Sequence, residues 1–186
     1  MHLDRLGEMK SGSILNLQKK AAHTGLLLYA DMFSPGFVDH LEKLCSQGLS
    51  QHGWSYLIEH LEPRQKTRTD LILNELGLEF IRWKHEINKP SRFQSLFAWD
   101  NIEDAIKFVT EEKAFPTIYE VEAQGRFFRA DMNLSRRSRV ESVLKYWRRE
   151  PLDNSEKYTP IWECVLELPV KVIRQIETLP IITSAS

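Results

Sequence analysis

The sequence is short of most features that place a chain quickly. It has two cysteines, Cys45 and Cys164, far apart and in neither a CxxC nor a metal-ligand spacing. So few thiols fit a reducing compartment better than a disulfide framework. No apolar run approaches the roughly 20 residues a membrane span needs. The opening "MHLDRLGEMK" is charged from the outset and does not read as a secretory signal. Charge of one sign is missing too: 25 Lys and Arg stand against 26 Asp and Glu, a formal net charge of -1. Nothing global draws the chain to nucleic acid or an anionic membrane, so any polyanion would be met by a local patch. Glycine is sparse at eight residues, and none sits in a P-loop or a GxGxxG. A serine-hydrolase elbow and an HExxH are absent as well. The histidines at 23, 40, 52, 60 and 85 share no convincing face and support no metal assignment. These absences point to a soluble, cytoplasmic protein without a membrane segment.

What is present fits one ordinary domain of 186 residues with enough apolar content for a core. "HLDRL" and "SILNL" read as short extended pieces, followed by helices over "FVDHLEKLCSQG" and "GWSYLIEHLEP". Ile72, Leu76, Phe80, Trp83 and Ile87 fall at steps of four, four, three and four, one stripe of a long helix that Pro90 ends. "RFQSLFAW" reads as a strand, and Asp100 or Asn101 as the cap of the next helix. "TIYEVEA" and "RFFRADMNL" read as a hairpin about Gly125. Ser135 is expected to cap a helix over 135–149 with a stripe of Val140, Val143, Leu144 and Trp147. "IWECVLEL" and "VKVIRQIETL" are two closing strands parted by Pro169. Helices early and strands late argue α+β.

Three places carry candidate chemistry. In "PSRFQSLFAWDNIEDAIKF", Arg92, Gln94 and Ser95 crowd an aromatic strand just before a helix, which a plain core strand does not require. In "IWECVLEL", alternation puts Trp162, Cys164, Leu166 and Leu168 on the core face and Glu163 on the other. Glu163 then faces solvent, or lines a cleft between Ile161 and Val165, where low dielectric would strengthen its pull on developing positive charge. In "SRRSRVESVLKYWRRE", Arg136, Arg137, Arg139, Lys145, Arg148 and Arg149 make a solvated basic helix. Alternatively they make a cationic patch, with Tyr146 and Trp147 interleaved, able to meet phosphates.

Together, His2 in "HLDR", Ser95 in "RFQSLFAW" and Glu163 in "WECVLELPVKVIRQI" resemble, in this order, the ADP-ribosyltransferase superfamily. "PSRFQSLFAW", "ADMNL", "KYW" and "WE…PVKVI" look like a little-characterised bacterial family within it. The resemblance implies a split antiparallel β-sheet with flanking helices over residues 1–186, with about 26–62 a family-specific elaboration. It implies NAD as ADP-ribose donor, with catalytic residues Glu163, His2 and Ser95. His2, Arg5, Arg92 and Ser95 would hold NAD, His2 at a ribose hydroxyl and Arg92 at the diphosphate. Glu163 would accept the 2′-hydroxyl of the nicotinamide ribose and stabilise an oxocarbenium-like transition state. Leu96 and Phe97 stand where one branch of the superfamily has a tyrosine. Ile161, two residues before Glu163, replaces the acid of arginine-directed transferases and argues against an arginine acceptor. The resemblance suggests a bacterial toxin or anti-phage effector held by an antitoxin or inhibitor protein. Arg136, Arg137 and Arg139 favour an RNA acceptor. A protein side chain, an RNA 2′-phosphotransferase activity and a non-catalytic binding module are the alternatives.

Overall fold

The computed structural model describes residues 2–4, 9–19, 33–58, 69–112, 117–137 and 139–176. The early elements are β1 (His2–Asp4), β2 (Ile14–Leu15), α1 (Pro35–Gln47), α2 (Gln51–Leu57) and α3 (Thr69–His85). After a 3-10 turn at Arg92–Gln94 come β3 (Ser95–Trp99), α4 (Ile102–Glu112), β4 (Thr117–Ala123) and β5 (Phe127–Asp131). The chain continues through α5 (Met132–Ser135), α6 (Val140–Arg148), β6 (Trp162–Glu167) and β7 (Val170–Ile176). The α+β class is as expected. No helix among the described residues is long and apolar enough to cross a membrane.

Two antiparallel sheets carry the strands, one in the order β1-β4-β7-β2 and the other β3-β6-β5. The link between them is the closing segment. β6 pairs with β3 and β5, the chain turns through Leu168 and Pro169, and β7 pairs with β4 and β2. That division overturns the hairpin expected about Gly125. β4 and β5 lie in different sheets because each takes a different half of the β6–β7 run as its partner. The chain does not reverse at Gly125: Ala123 pairs with Val170 and Phe127 with Leu166, so β4 and β5 run on in one direction along β7 and then β6.

The long helix behaves largely as its stripe demands. Ile72 and Leu76 are buried, with Phe80 and Trp83 packed against the same cluster, alongside Phe37, Leu41 and Leu44 of α1 and Trp54 and Leu57 of α2. Ile87 lies past the helix end and is exposed. Asn101 rather than Asp100 caps α4, its Oδ1 accepting from the Asp104 amide at 2.8 Å. Two boundaries move. The strand read from Arg92 starts at Ser95, since Arg92–Gln94 make the 3-10 turn. The helix read from Ser135 is α5, a break, then α6 from Val140. In that second helix Val140 is 74% exposed, while Ser142, Val143, Tyr146 and Trp147 are buried. The inward stripe is therefore shifted, and Tyr146 and Trp147 are core residues that stack on no base.

Candidate functional site

The polar residues crowded ahead of β3 are explained by α3. Glu75, Glu79 and Arg82 recur at steps of four and three, so they form a second stripe beside the apolar one. All three are buried. The Glu79 group closes on itself. Arg82 Nε donates to both Glu79 oxygens at 3.0 Å, Ser91 Oγ donates to Oε2 at 2.9 Å, and His40 Nε2 donates to Oε1 at 2.8 Å. Arg82 Nη1 also reaches the Ile87 and Lys89 carbonyls, so this group fixes the turn that follows α3.

One helical turn earlier the arrangement differs. Arg92 grips Glu75 through two bonds, Nε to Oε2 at 2.8 Å and Nη2 to Oε1 at 2.9 Å. Its Nη1 continues to Glu163 Oε1 at 2.6 Å and also donates to the Tyr146 hydroxyl. Tyr146 in turn donates to the same Glu163 oxygen at 2.7 Å. The guanidinium lies 4.4 Å over the ring of Phe97, and the His52 ring of α2 meets that ring edge-on at 4.7 Å. His52 Nε2 is 3.3 Å from Glu75 Oε2, at ion-pair distance but outside hydrogen-bond alignment. From the other sheet, His2 Nδ1 donates to the Phe97 carbonyl at 2.5 Å. Phe97 thus sits where the two sheets and α2 meet.

Burial by itself would push the Glu75 carboxyl up, but Arg92 and His52 outweigh it and hold it well below the usual carboxylate range. Burial would lower Arg92, yet Glu75, Tyr146 and Glu163 keep it far above its ordinary value. Burial, with Glu163 adding to it, pushes the Tyr146 phenol well up against the pull of Arg92, so Tyr146 is a permanent donor. Two carboxylates therefore face one guanidinium in a nearly dry place. A buried pair of this kind persists only when its hydrogen bonds are made, and here each described partner makes one.

The residues singled out from the sequence are distributed unevenly about this site. Glu163 is 4% exposed. The face it shares with Val165 is the more deeply covered one, because α3 and α6 pack on it, so it is no solvent-facing carboxylate. Arg92 and Glu163 are bonded to each other, and His2 reaches Phe97 beside them. Ser95 is buried, but its Oγ donates to the Ser91 carbonyl at 2.6 Å. It pairs with Glu167 whereas Glu163 pairs with Trp99, four residues along β3 and so about 13 Å away. Arg5 lies outside the described residues. Arg136, Arg137 and Arg139 are exposed in the break between α5 and α6. That break is at Glu163's end of the sheet: Ala130 pairs with Glu163, β5 ends at the next residue, and α5 follows directly. The amide of Asn74, next to Glu75, donates to the Ser135 carbonyl.

His52, Glu75 and Tyr146 escaped the sequence reading. The Glu75–Glu79–Arg82 spacing shows that three charges share a stripe, but such a stripe faces water more often than other elements, so it did not mark burial. His52 and Tyr146 belong to no such pattern.

A family model described as a protein of unknown function (DUF2441) matches residues 1–178. No curated protein matches the chain.

Proposed function

The chain belongs to the DUF2441 family, and we propose that it is an NAD-dependent ADP-ribosyltransferase acting on a macromolecular acceptor, RNA in first place. The observation that carries this reading is the convergence on Phe97. His2 holds its carbonyl, Arg92 covers its ring, and Arg92 is bonded to Glu163. The resemblance implies an early strand with a histidine, a middle strand leading into a helix, and a late strand with a glutamate. β1, β3 and β6 lie near one another: β1 of one sheet abuts β3 of the other, β3 runs into α4, and β6 pairs with β3.

The chemistry follows from the bonds. Both described hydrogen bonds to Glu163 go to Oε1, which leaves Oε2 to accept the 2′-hydroxyl of the nicotinamide ribose. As the C1′–N bond breaks, its electron pair leaves with nicotinamide and positive charge grows at the anomeric centre. A carboxylate with few surrounding waters stabilises that charge more in the transition state than in the ground state. Arg92 and Tyr146 hold the carboxylate in one orientation while this occurs. Arg92, with both its carboxylates engaged, acts through Glu163 rather than on the diphosphate. His2, oriented by the Phe97 carbonyl, is the candidate for a ribose hydroxyl. Glu163→Gln keeps the shape and removes the charge. With NAD labelled on its adenylate phosphate and total cell extract, wild type should label RNase-sensitive material and release nicotinamide, and the variant should do neither. Label in protease-sensitive material instead would make the acceptor a protein. No label and no nicotinamide from wild type would end the transferase reading.

The RNA preference rests on the basic break at Glu163's end of the sheet. Three guanidiniums meeting single-stranded phosphates contribute roughly 0.7 each to the slope of log affinity against log salt. Changing Arg136, Arg137 and Arg139 together to Gln should weaken RNA labelling and flatten that slope by about 2. An unchanged slope would remove RNA from first place.

A further inference from the structure

His52 is the one residue of the Phe97 site that comes from α2, within the stretch where the resemblance is weakest. It is more open than the charged residues, its side chain 20% exposed against 7% for Glu75, 5% for Arg92 and 6% for Glu163. Solvent therefore reaches the imidazole more readily than the carboxylates and guanidinium beside it. The Tyr56 ring lies 4.5 Å away, tilted, and the Phe97 ring 4.7 Å away, edge-on, so two aromatic rings pack against the imidazole. Nε2 lies 3.3 Å from Glu75 Oε2, at ion-pair distance though not aligned as a hydrogen bond, and a proton carried on that nitrogen leaves the Nδ1 lone pair to accept.

The charges give this histidine something to do. Glu75 and Glu163 set two negative charges against the one positive charge of Arg92. The uncompensated charge suits a bound cation, and the pyridinium of NAD is one. When nicotinamide departs it leaves neutral, and the site again lacks a positive charge. A proton arriving on His52 at that moment restores the balance, and Glu75 stands ready to pair with the imidazolium.

Building on the transferase reading, we propose that His52, steadied by Glu75, is the general base for the acceptor. An acceptor N–H or O–H loses its proton to Nδ1 while its lone pair forms the new bond to C1′. The old C1′–N bond gives its electrons to nicotinamide. The positive charge of the pyridinium ends as the positive charge of His52, and the product acceptor is neutral. The proton then passes to water when the products leave.

An acceptor without a proton needs no base, which supplies the test. Full-length wild type, His52→Gln and Glu163→Gln are compared with labelled NAD, first with total cellular RNA and then with azide as the anionic acceptor. His52→Gln should transfer to RNA about 100-fold more slowly than wild type, a usual size for lost base catalysis. It should form the azide adduct within a few-fold of wild type. Glu163→Gln should fail with both, because stabilisation of the anomeric cation is needed whichever acceptor attacks. His52→Ala provides a second route, with added imidazole restoring RNA transfer. Undiminished RNA transfer by His52→Gln would overturn the proposal, as would a loss that azide does not bypass. A wild-type protein that makes neither adduct would bring down the transferase itself, which separates that failure from the failure of His52 alone.

Discussion

Replacing Arg92 with methionine should destabilise the fold by about 3–5 kcal/mol, the usual cost of removing one partner from a buried ion pair. Most of that is the penalty left on the partners rather than the lost attraction. Methionine fills much of the same volume, but Glu75 and Glu163 would then lie buried without the guanidinium that answers both. Urea unfolding of wild type and variant measures the loss. A double change, Arg92→Met with Glu75→Gln, should recover a large part of it by discharging one stranded carboxylate. If Arg92→Met alone costs less than about 1 kcal/mol, water or rearrangement answers the carboxylates, and the arrangement described here is not what holds β3 to α3.

The same pair sets a pH dependence whose sign can be worked out. Glu75 is held below its ordinary range in the folded protein, so it takes up protons more readily when unfolded. Its contribution is present above the ordinary glutamate value, about pH 4.3, and is lost as pH falls from there toward the depressed native value. Wild type should therefore weaken steadily on acidification below about pH 4. In Arg92→Met the opposing cation is gone and burial dominates, which raises the folded carboxyl instead. Lowering the pH should then narrow the gap between variant and wild type. Urea midpoints at pH 7 and pH 4 are sufficient, and a gap that widens at pH 4 would contradict the assignment of Arg92 as the group that holds Glu75 down.

The α+β class, the long third helix and the two closing strands were legible because each rests on local periodicity and on a proline or glycine that ends it. The partition of strands between sheets was not. The glycine between β4 and β5 suggested a hairpin, yet the two strands run on in one direction and divide between the sheets opposite Leu168–Pro169, some forty residues later. The solvent-facing alternative for Glu163 failed for a related reason. Alternation along β6 correctly separated Glu163 from Trp162 and Cys164, but both faces of this strand are covered, so the more polar face was taken for the wetter one. Coverage comes from α3 and α6, and their own patterns say only that they bury something. Arg92 was recognised as unusual from its setting, but its partner Glu75 was not, because a charged stripe on a helix ordinarily faces water. No periodicity connects His52 to Phe97, because their meeting depends on how closely α2 approaches the turn before β3.

That approach is the subject of the second large effect. α2 begins by docking on one carbonyl: the Ser50 amide and the Ser50 hydroxyl both donate to Phe93 O, at 2.9 and 3.0 Å, and the hydroxyl accepts from the Gly53 amide at 3.2 Å. A Cβ on Gly53 would lie 2.2 Å from that same oxygen and 3.0 Å from its carbon. Alanine in a helix is ordinarily better than glycine by about 1 kcal/mol. Here the gain is outweighed, since the oxygen cannot turn aside without giving up both Ser50 bonds, each worth about 1 kcal/mol. Overpacking adds about 1–3 kcal/mol. Gly53→Ala should thus lose roughly 2–4 kcal/mol net, combining these opposing effects. Gly77 of α3 is the internal control, because nothing lies within 4 Å of its Cβ position, and Gly77→Ala should gain close to the full helical increment. Opposite signs for the two glycines in urea would establish that α2 is pressed onto the Phe93 backbone. Like signs, both stabilising, would mean that α2 stands further off, and His52 would then have no fixed place over Phe97 from which to take a proton.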